Sequence, residues 1–177
     1  MATKQWVSDP AHSEIQFKVK HLMVTNITGS FKQFSASAES SRDDFQDAKI
    51  SFSADIASVD TGNEQRNGHL LAADFFDAEK FPQLSFVSTA FRKINDEGDY
   101  ELDGNLTIKD VTKPVKLRAV GGAVTDPWGN VKTAFSVEGK INRTDWGLSY
   151  NAALETGGVL ISEDVRILAE VQMTESK

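Results

Sequence analysis

Ile50, Phe52, Ala54 and Ile56 alternate with Ser51, Ser53 and Asp55, and this period of two most constrains the fold. On a strand, successive side chains point to opposite faces, so one face here is apolar and the other polar. The same period recurs along the chain. Ile15, Phe17 and Val19 alternate with Gln16, Lys18 and Lys20, and Ile27, Gly29 and Phe31 follow a turn at residues 24–26. Leu84, Phe86 and Ser88 open a strand that ends near Ile94, and Tyr100, Leu102, Gly104, Leu106 and Ile108 return after a loop at residues 95–99. Val115, Leu117 and Ala119 follow a turn placed at residues 110–114. Residues 131–141 follow the turn at residues 126–130, with Phe135 and Val137 on one face. Asp43 and Asp44 mark a loop, residues 142–162 read as irregular, and Val165, Ile167, Ala169 and Val171 close the chain. The count is about eight strands, joined by hairpin-length connections. Eight antiparallel strands suit a barrel wide enough for a small ligand or a sandwich filled by its own side chains.

One stretch breaks the pattern, at residues 60–86. Thr61 followed by Glu64 is a capping-box pattern, so a helix is expected to start there. Arg66 and Leu70 then share a face, and Gly68 weakens the helix by roughly 1 kcal/mol against Ala. Asp74 or Asp77 caps a second turn, and Phe81-Pro82 ends it, because the residue before a proline avoids helical backbone. Leu70, Leu71, Phe75, Phe76 and Phe81 are too densely apolar for a solvated loop. A helical insert that caps an open end favours the barrel. The expectation is therefore an all-β antiparallel barrel with a short helical insert, a single domain over residues 1–177. Residues 61–81 should close or flank its mouth with Leu70, Leu71, Phe75 and Phe76 turned inward. Phe17, Val19, Phe31, Phe52, Ile56, Phe86, Leu106 and Phe135 should point into the barrel.

The net charge of −7 argues against nucleic acid or an anionic membrane as the main partner. No window approaches the length of a membrane span, and the first residues carry no secretory signal, so the expected compartment is the cytoplasm. Cysteine is absent, and His12 and His21 are nine apart, an odd spacing that sends them to opposite faces of an uninterrupted strand. His69 lies on the insert. No pair has ligand spacing, so no metal is expected. A triad of Ser13, His69 and an aspartate is arithmetically possible, but there is no nucleophile elbow, and no catalysis is expected. Arg66 has two readings. It meets a polar head group at the mouth, or it pairs with Glu64, Asp60 or Asp77 and pins the insert. Arg143, beside Asp145 and upstream of Asp164, has the same two.

From Asp9 onward the chain resembles the YceI-like family of lipid- and polyisoprenoid-binding proteins. The matching stretches are Asp9-Pro10-Ala11-His12-Ser13 with Phe17 and His21, Gly29-Ser30-Phe31, and Ser58-Val59-Asp60-Thr61-Gly62. Arg66 with His69-Leu70, Asp74-Phe75-Phe76-Asp77, Phe81-Pro82 and Phe86 continue it. Gly104-Asn105-Leu106-Thr107-Ile108 and Val111-Thr112-Lys113-Pro114-Val115 follow. Arg143-Thr144-Asp145-Trp146-Gly147-Leu148 and Glu155-Thr156-Gly157-Gly158-Val159-Leu160 complete it. Two departures stand out: Arg66-Asn67 where the family usually reads Arg-Asp, and Asp110 where it reads Gly. The first removes a carboxylate beside the insert.

The resemblance implies an extended lipocalin-like barrel, a homodimer, and non-enzymatic binding, transport or storage of a long amphiphilic lipid. The implied ligand is a polyisoprenoid, an isoprenoid quinone or a fatty-acid derivative, with no other cofactor. His21, His69, Arg66 and Trp146 complete the expected ligand-binding set, and the resemblance assigns about half of the 11 phenylalanines to the tunnel wall. The rival is an enzyme acting on such a lipid with His21 or His69 as acid-base group. A third reading is a filled barrel serving as an interaction or stress protein.

Overall fold

The structure, a computed structural model, describes residues 3–22, 24–42, 45–73, 75–148 and 161–176, the last of them by backbone alone. The readings placed on Asp43 and Asp44, on Asp74 and on residues 155–160 lie outside these. The strands are β1 (Lys4–Ser8), β2 (Glu14–His21), β3 (Thr25–Phe31), β4 (Phe34–Ser40), β5 (Lys49–Asp55) and β6 (Val59–Asp60). After helix α1 (Glu64–Leu70) come β7 (Gln83–Lys93), β8 (Asp99–Ile108), β9 (Val111–Thr125), β10 (Val131–Asn142) and β11 (Asp164–Ser176).

Eight strands close an antiparallel barrel in the order β1-β4-β5-β7-β8-β9-β10-β11, with β11 returning to β1. The barrel is extended because β11 serves two partners. Its C-terminal part pairs with β1, where Ser8 faces Met173, and its N-terminal part pairs with β2, where Glu14 faces Glu170. Ser13 bridges the break. Its hydroxyl accepts from the Gln172 N–H at 3.0 Å in place of a ladder bond. β2 carries β3 and the short β6 as an extension of the wall.

The inward parity follows the sequence alternation. Phe52 pairs with Phe86, and Phe86 with Leu106, so three strands place one apolar row on the inside. One strand was not anticipated, and three local expectations are corrected. β4 reads Phe-Ser-Ala-Ser-Ala-Glu-Ser, whose inward residues Ala36 and Ala38 are too small to stand out by hydropathy. β5 ends at Asp55, and Ile56 opens a 3-10 turn (Ile56–Ser58) instead of extending the strand. The turn expected at residues 110–114 is only two residues long. Lys109 and Asp110 both have positive φ, 53° and 63°, the signature of a tight hairpin, and β9 runs on through Pro114. Finally, Asn63 caps α1, accepting from the Arg66 N–H at 3.0 Å. Thr61 instead donates through its N–H and its hydroxyl to the Asn67 side-chain oxygen at 2.8 and 2.6 Å.

Thr133 on β10 is fully buried, and its hydroxyl has no hydrogen-bond partner among the described residues. An orphan hydroxyl keeps its desolvation cost with nothing to offset it. The near-isosteric Thr133→Val is expected to stabilise the fold by about 1 kcal/mol, read as a higher urea midpoint at unchanged slope. A lower midpoint would mean that the hydroxyl has a partner.

Candidate functional site

Inside the barrel lies a cavity of about 290 Å³, at the lower edge of the roughly 300–1,000 Å³ found for small-molecule pockets. All the phenylalanines except Phe34 and Phe81 line it, more than the half expected from the sequence. Phe rings suit a dry wall because they carry no polar atom to satisfy. From the strands, Phe17, Val19, Phe31, Phe52, Phe86, Leu106 and Phe135 all face it. A cluster of aromatic rings gathers toward one end of the barrel strands. Phe91 stacks on Tyr100 with centroids 4.5 Å apart, and Phe135 meets Phe91, Tyr100 and Phe45 edge-on at 5.6, 5.6 and 6.0 Å.

Phe45 and Phe91 were not anticipated. Phe91 has the wrong parity for the apolar face opened by Leu84 and Phe86. A register shift between Ser88 and Ala90 reverses the alternation and turns Phe91 inward. Phe45 sits in the β4–β5 connection, where no periodicity exists to read.

The wall is kept flat by a glycine. Phe17 pairs with Gly29 across β2 and β3, and a Cβ on Gly29 would meet the Phe17 ring at 2.3 Å. The ring thus lies along the wall. Gly29→Ala is expected to swing the ring into the lumen, lowering lipid content several-fold with a stability loss of about 1 kcal/mol or less, since the ring can rotate away. Quantitative lipid extraction beside urea unfolding checks this, and unchanged content would mean that the lumen tolerates the ring.

The other end is built by α1 and the residues after it. Arg66, His69 and Leu70 from α1 face the cavity, as do Phe75 and Phe76. The Phe76 N–H donates to the Leu70 carbonyl at 3.0 Å, folding this segment back on the helix. Phe76 meets Phe31 at 6.0 Å, and Phe75 meets the His69 ring edge-on at 5.0 Å. Arg66 donates through Nε to the Thr61 hydroxyl at 2.8 Å and through Nη2 to the Thr61 carbonyl at 2.6 Å. Among the described residues it forms no ion pair, so the expected pinning by Glu64, Asp60 or Asp77 is replaced by Thr61.

Arg143 is the second cation on the wall. It sits in a 3-10 turn (Arg143–Trp146) directly after β10 and is only 3% exposed. Its guanidinium donates to the carbonyls of Ser162 at 2.9 Å, Leu148 at 2.5 Å and Ile161 at 3.3 Å. It lies 6.0 Å from the Phe75 ring centroid. Neither Asp145 nor Asp164 pairs with it among the described residues, and Asp164 pairs with Lys140 at 3.2 Å. Burial lowers its pKa from the ordinary arginine value, and Glu163 opposes that shift. Two guanidinium groups and a histidine therefore collect at one end of a largely apolar tube.

Four residues of the expected set stand apart from the cavity wall. His21 ends β2 and bridges Ile161. Ile56 is buried in the core beside the tube because β5 has already ended. Leu71 caps the C-terminus of α1 and packs against the core. Trp146 is 2% exposed and donates its indole N–H to the Leu106 carbonyl at 2.9 Å, bracing β8 from behind. His12 pairs with Asp9 at 2.8 Å within a 3-10 turn (Pro10–His12), so its strand parity relative to His21 has no meaning here. Among the described residues, no three His, Asp or Glu side chains are grouped to hold a metal, and no helix is long and apolar enough to cross a membrane.

Residues 6–173 match the family model for the YceI-like domain. A UPF0312 protein of Staphylococcus aureus (strain MSSA476) is 35% identical over 173 residues, covering 96% of each chain. A UPF0312 protein of Staphylococcus epidermidis is 37% identical over 168 residues, covering 94% of this chain and 95% of that one. Among solved structures, the Campylobacter jejuni YceI protein superposes with a TM-score of 0.74 at 33% identity, covering 90% of this chain and 91% of that one. A polyisoprenoid binding domain from Saccharophagus degradans shares the fold at a TM-score of 0.65 and 14% identity, covering 97% and 98%.

Proposed function

The chain belongs to the YceI-like domain family, and from that premise we propose that its barrel binds, carries or stores a long amphiphilic lipid without transforming it. The observation that carries this reading is the polarity of the tube: apolar along its length, with Arg66, His69 and Arg143 at one end. An isoprenoid or acyl chain fills such a lumen, and each buried methylene contributes about 0.8 kcal/mol. Arg143 uses three of its five N–H donors on carbonyls, and Arg66 uses two on Thr61. The remaining donors suit a phosphate, carboxylate or quinone head group. The polyisoprenoid binding described for the Saccharophagus degradans domain is consistent with this ligand class.

Of His21 and His69, either of which could serve an enzyme reading as acid-base group, only His69 lines the cavity. Its ring packs edge-on against Phe75, which suits a wall as well as it suits proton transfer.

The test is detergent-free purification followed by native mass spectrometry and lipid extraction. The expected result is about one long-chain amphiphile per barrel, recovered chemically unchanged. A protein that arrives empty and takes up neither polyprenyl phosphate nor an isoprenoid quinone contradicts binding. Time-dependent conversion of the lipid contradicts the non-catalytic role.

A further inference from the structure

We propose that the β2–β3 hairpin docks the protein on an anionic lipid bilayer. The tip breaks a local rule. Leu22 and Val24 stand 50% and 78% exposed in a turn, where Gly, Asn or Asp is the usual choice. Leu22 also adopts a φ of 55°, left-handed backbone that apolar side chains rarely take. The start of β3 is tied back to the end of β2. The Val24 N–H and the Thr25 hydroxyl both donate to the His21 carbonyl at 3.3 Å. Leu22 and Val24 thus stand out into solvent beside the paired ends of β2 and β3.

Charge points the same way. The chain has 26 acidic residues and a net charge of −7, yet none of them lies between Glu14 and Glu39. That acid-free segment carries Lys18, Lys20 and Lys32 with His21, and it forms β2, β3 and most of β4. Lys18 also stands opposite Arg166 of β11. Lys18 and Lys20, the lysines nearest the tip, suit an anionic headgroup surface, to which basic side chains are drawn.

The hairpin is continuous with the cavity. Val19 and Ile27 pair directly below the tip and both line the lumen, as does Ile161, which bridges His21. Shallow insertion of Leu22 and Val24 sets that wall against the acyl region, so an apolar chain crosses little water on its way in. Two exposed apolar side chains are far short of the roughly 800 Å² per partner of a stable protein interface, whereas they suit an interfacial anchor.

This inference rests on the lipid-binding reading, and the test separates the two. The full chain is floated with vesicles of phosphatidylcholine alone and of phosphatidylcholine mixed with phosphatidylglycerol, and its own lipid content is measured in parallel. The wild type is expected to float only with the mixed vesicles. Leu22→Ser with Val24→Ser, and separately Lys18→Gln with Lys20→Gln, should each lower partitioning roughly tenfold, with lipid content and circular dichroism unchanged. No flotation of a lipid-loaded wild type overturns docking and leaves the binding reading intact. Flotation of an empty barrel does the reverse. A serine variant that floats like the wild type, or one that changes oligomeric state in place of flotation, also overturns the proposal.

Discussion

Replacing Phe76 with alanine is expected to destabilise the protein by about 3–5 kcal/mol, the usual cost of deleting a buried phenylalanine. Phe76 is 8% exposed, belongs to the main apolar core and meets Phe31 at 6.0 Å. Phe75 is as well buried, at 5%, and its ring neighbours among the described residues include His69 and Arg143 at the basic end of the tube. Phe75→Ala should therefore cost less stability and release bound lipid faster, because it opens the segment that closes the mouth. Urea unfolding of each variant, paired with the rate of lipid transfer to acceptor vesicles, separates the roles. Equal stability losses, with wild-type release from both variants, would make the segment plain core and not a gate.

Arg143→Ala is expected to cost at least about 3 kcal/mol, since the carbonyls of Leu148, Ile161 and Ser162 lose a charged donor. Arg143→Lys should recover little, because a single ammonium lacks the planar fork that reaches three separate acceptors. A variant lysine protein as stable as the wild type, by urea midpoint, would show that one point charge suffices at this position.

The strands and their inward faces were legible because alternation is a local signal. Phe52, Phe86 and Leu106 could be assigned to one interior before their pairing was known. β4 escaped because alanine and serine differ too little in hydropathy to mark two faces. Ile56 was misplaced because no residue type announces that β5 yields to a 3-10 turn at that point. Phe91 was missed because a bulge reverses parity without a sequence signature. The basic end was harder still. Arg143 is held by main-chain carbonyls, which any residue can supply, so its partners leave no trace in the sequence. Arg66 was visible, but its tie to Thr61 displaced both the expected ion pairs and the expected helix cap.

The claim that matters most is that an apolar chain lies along the tube with its head at Arg66 and Arg143. The most direct test is the affinity of delipidated protein for a series of acyl or prenyl phosphates of increasing length. The account predicts that affinity rises by up to about fourfold per added methylene until the lumen is full, then levels off. Affinity that does not depend on chain length, or that rises without a plateau, would place the ligand somewhere other than inside the barrel.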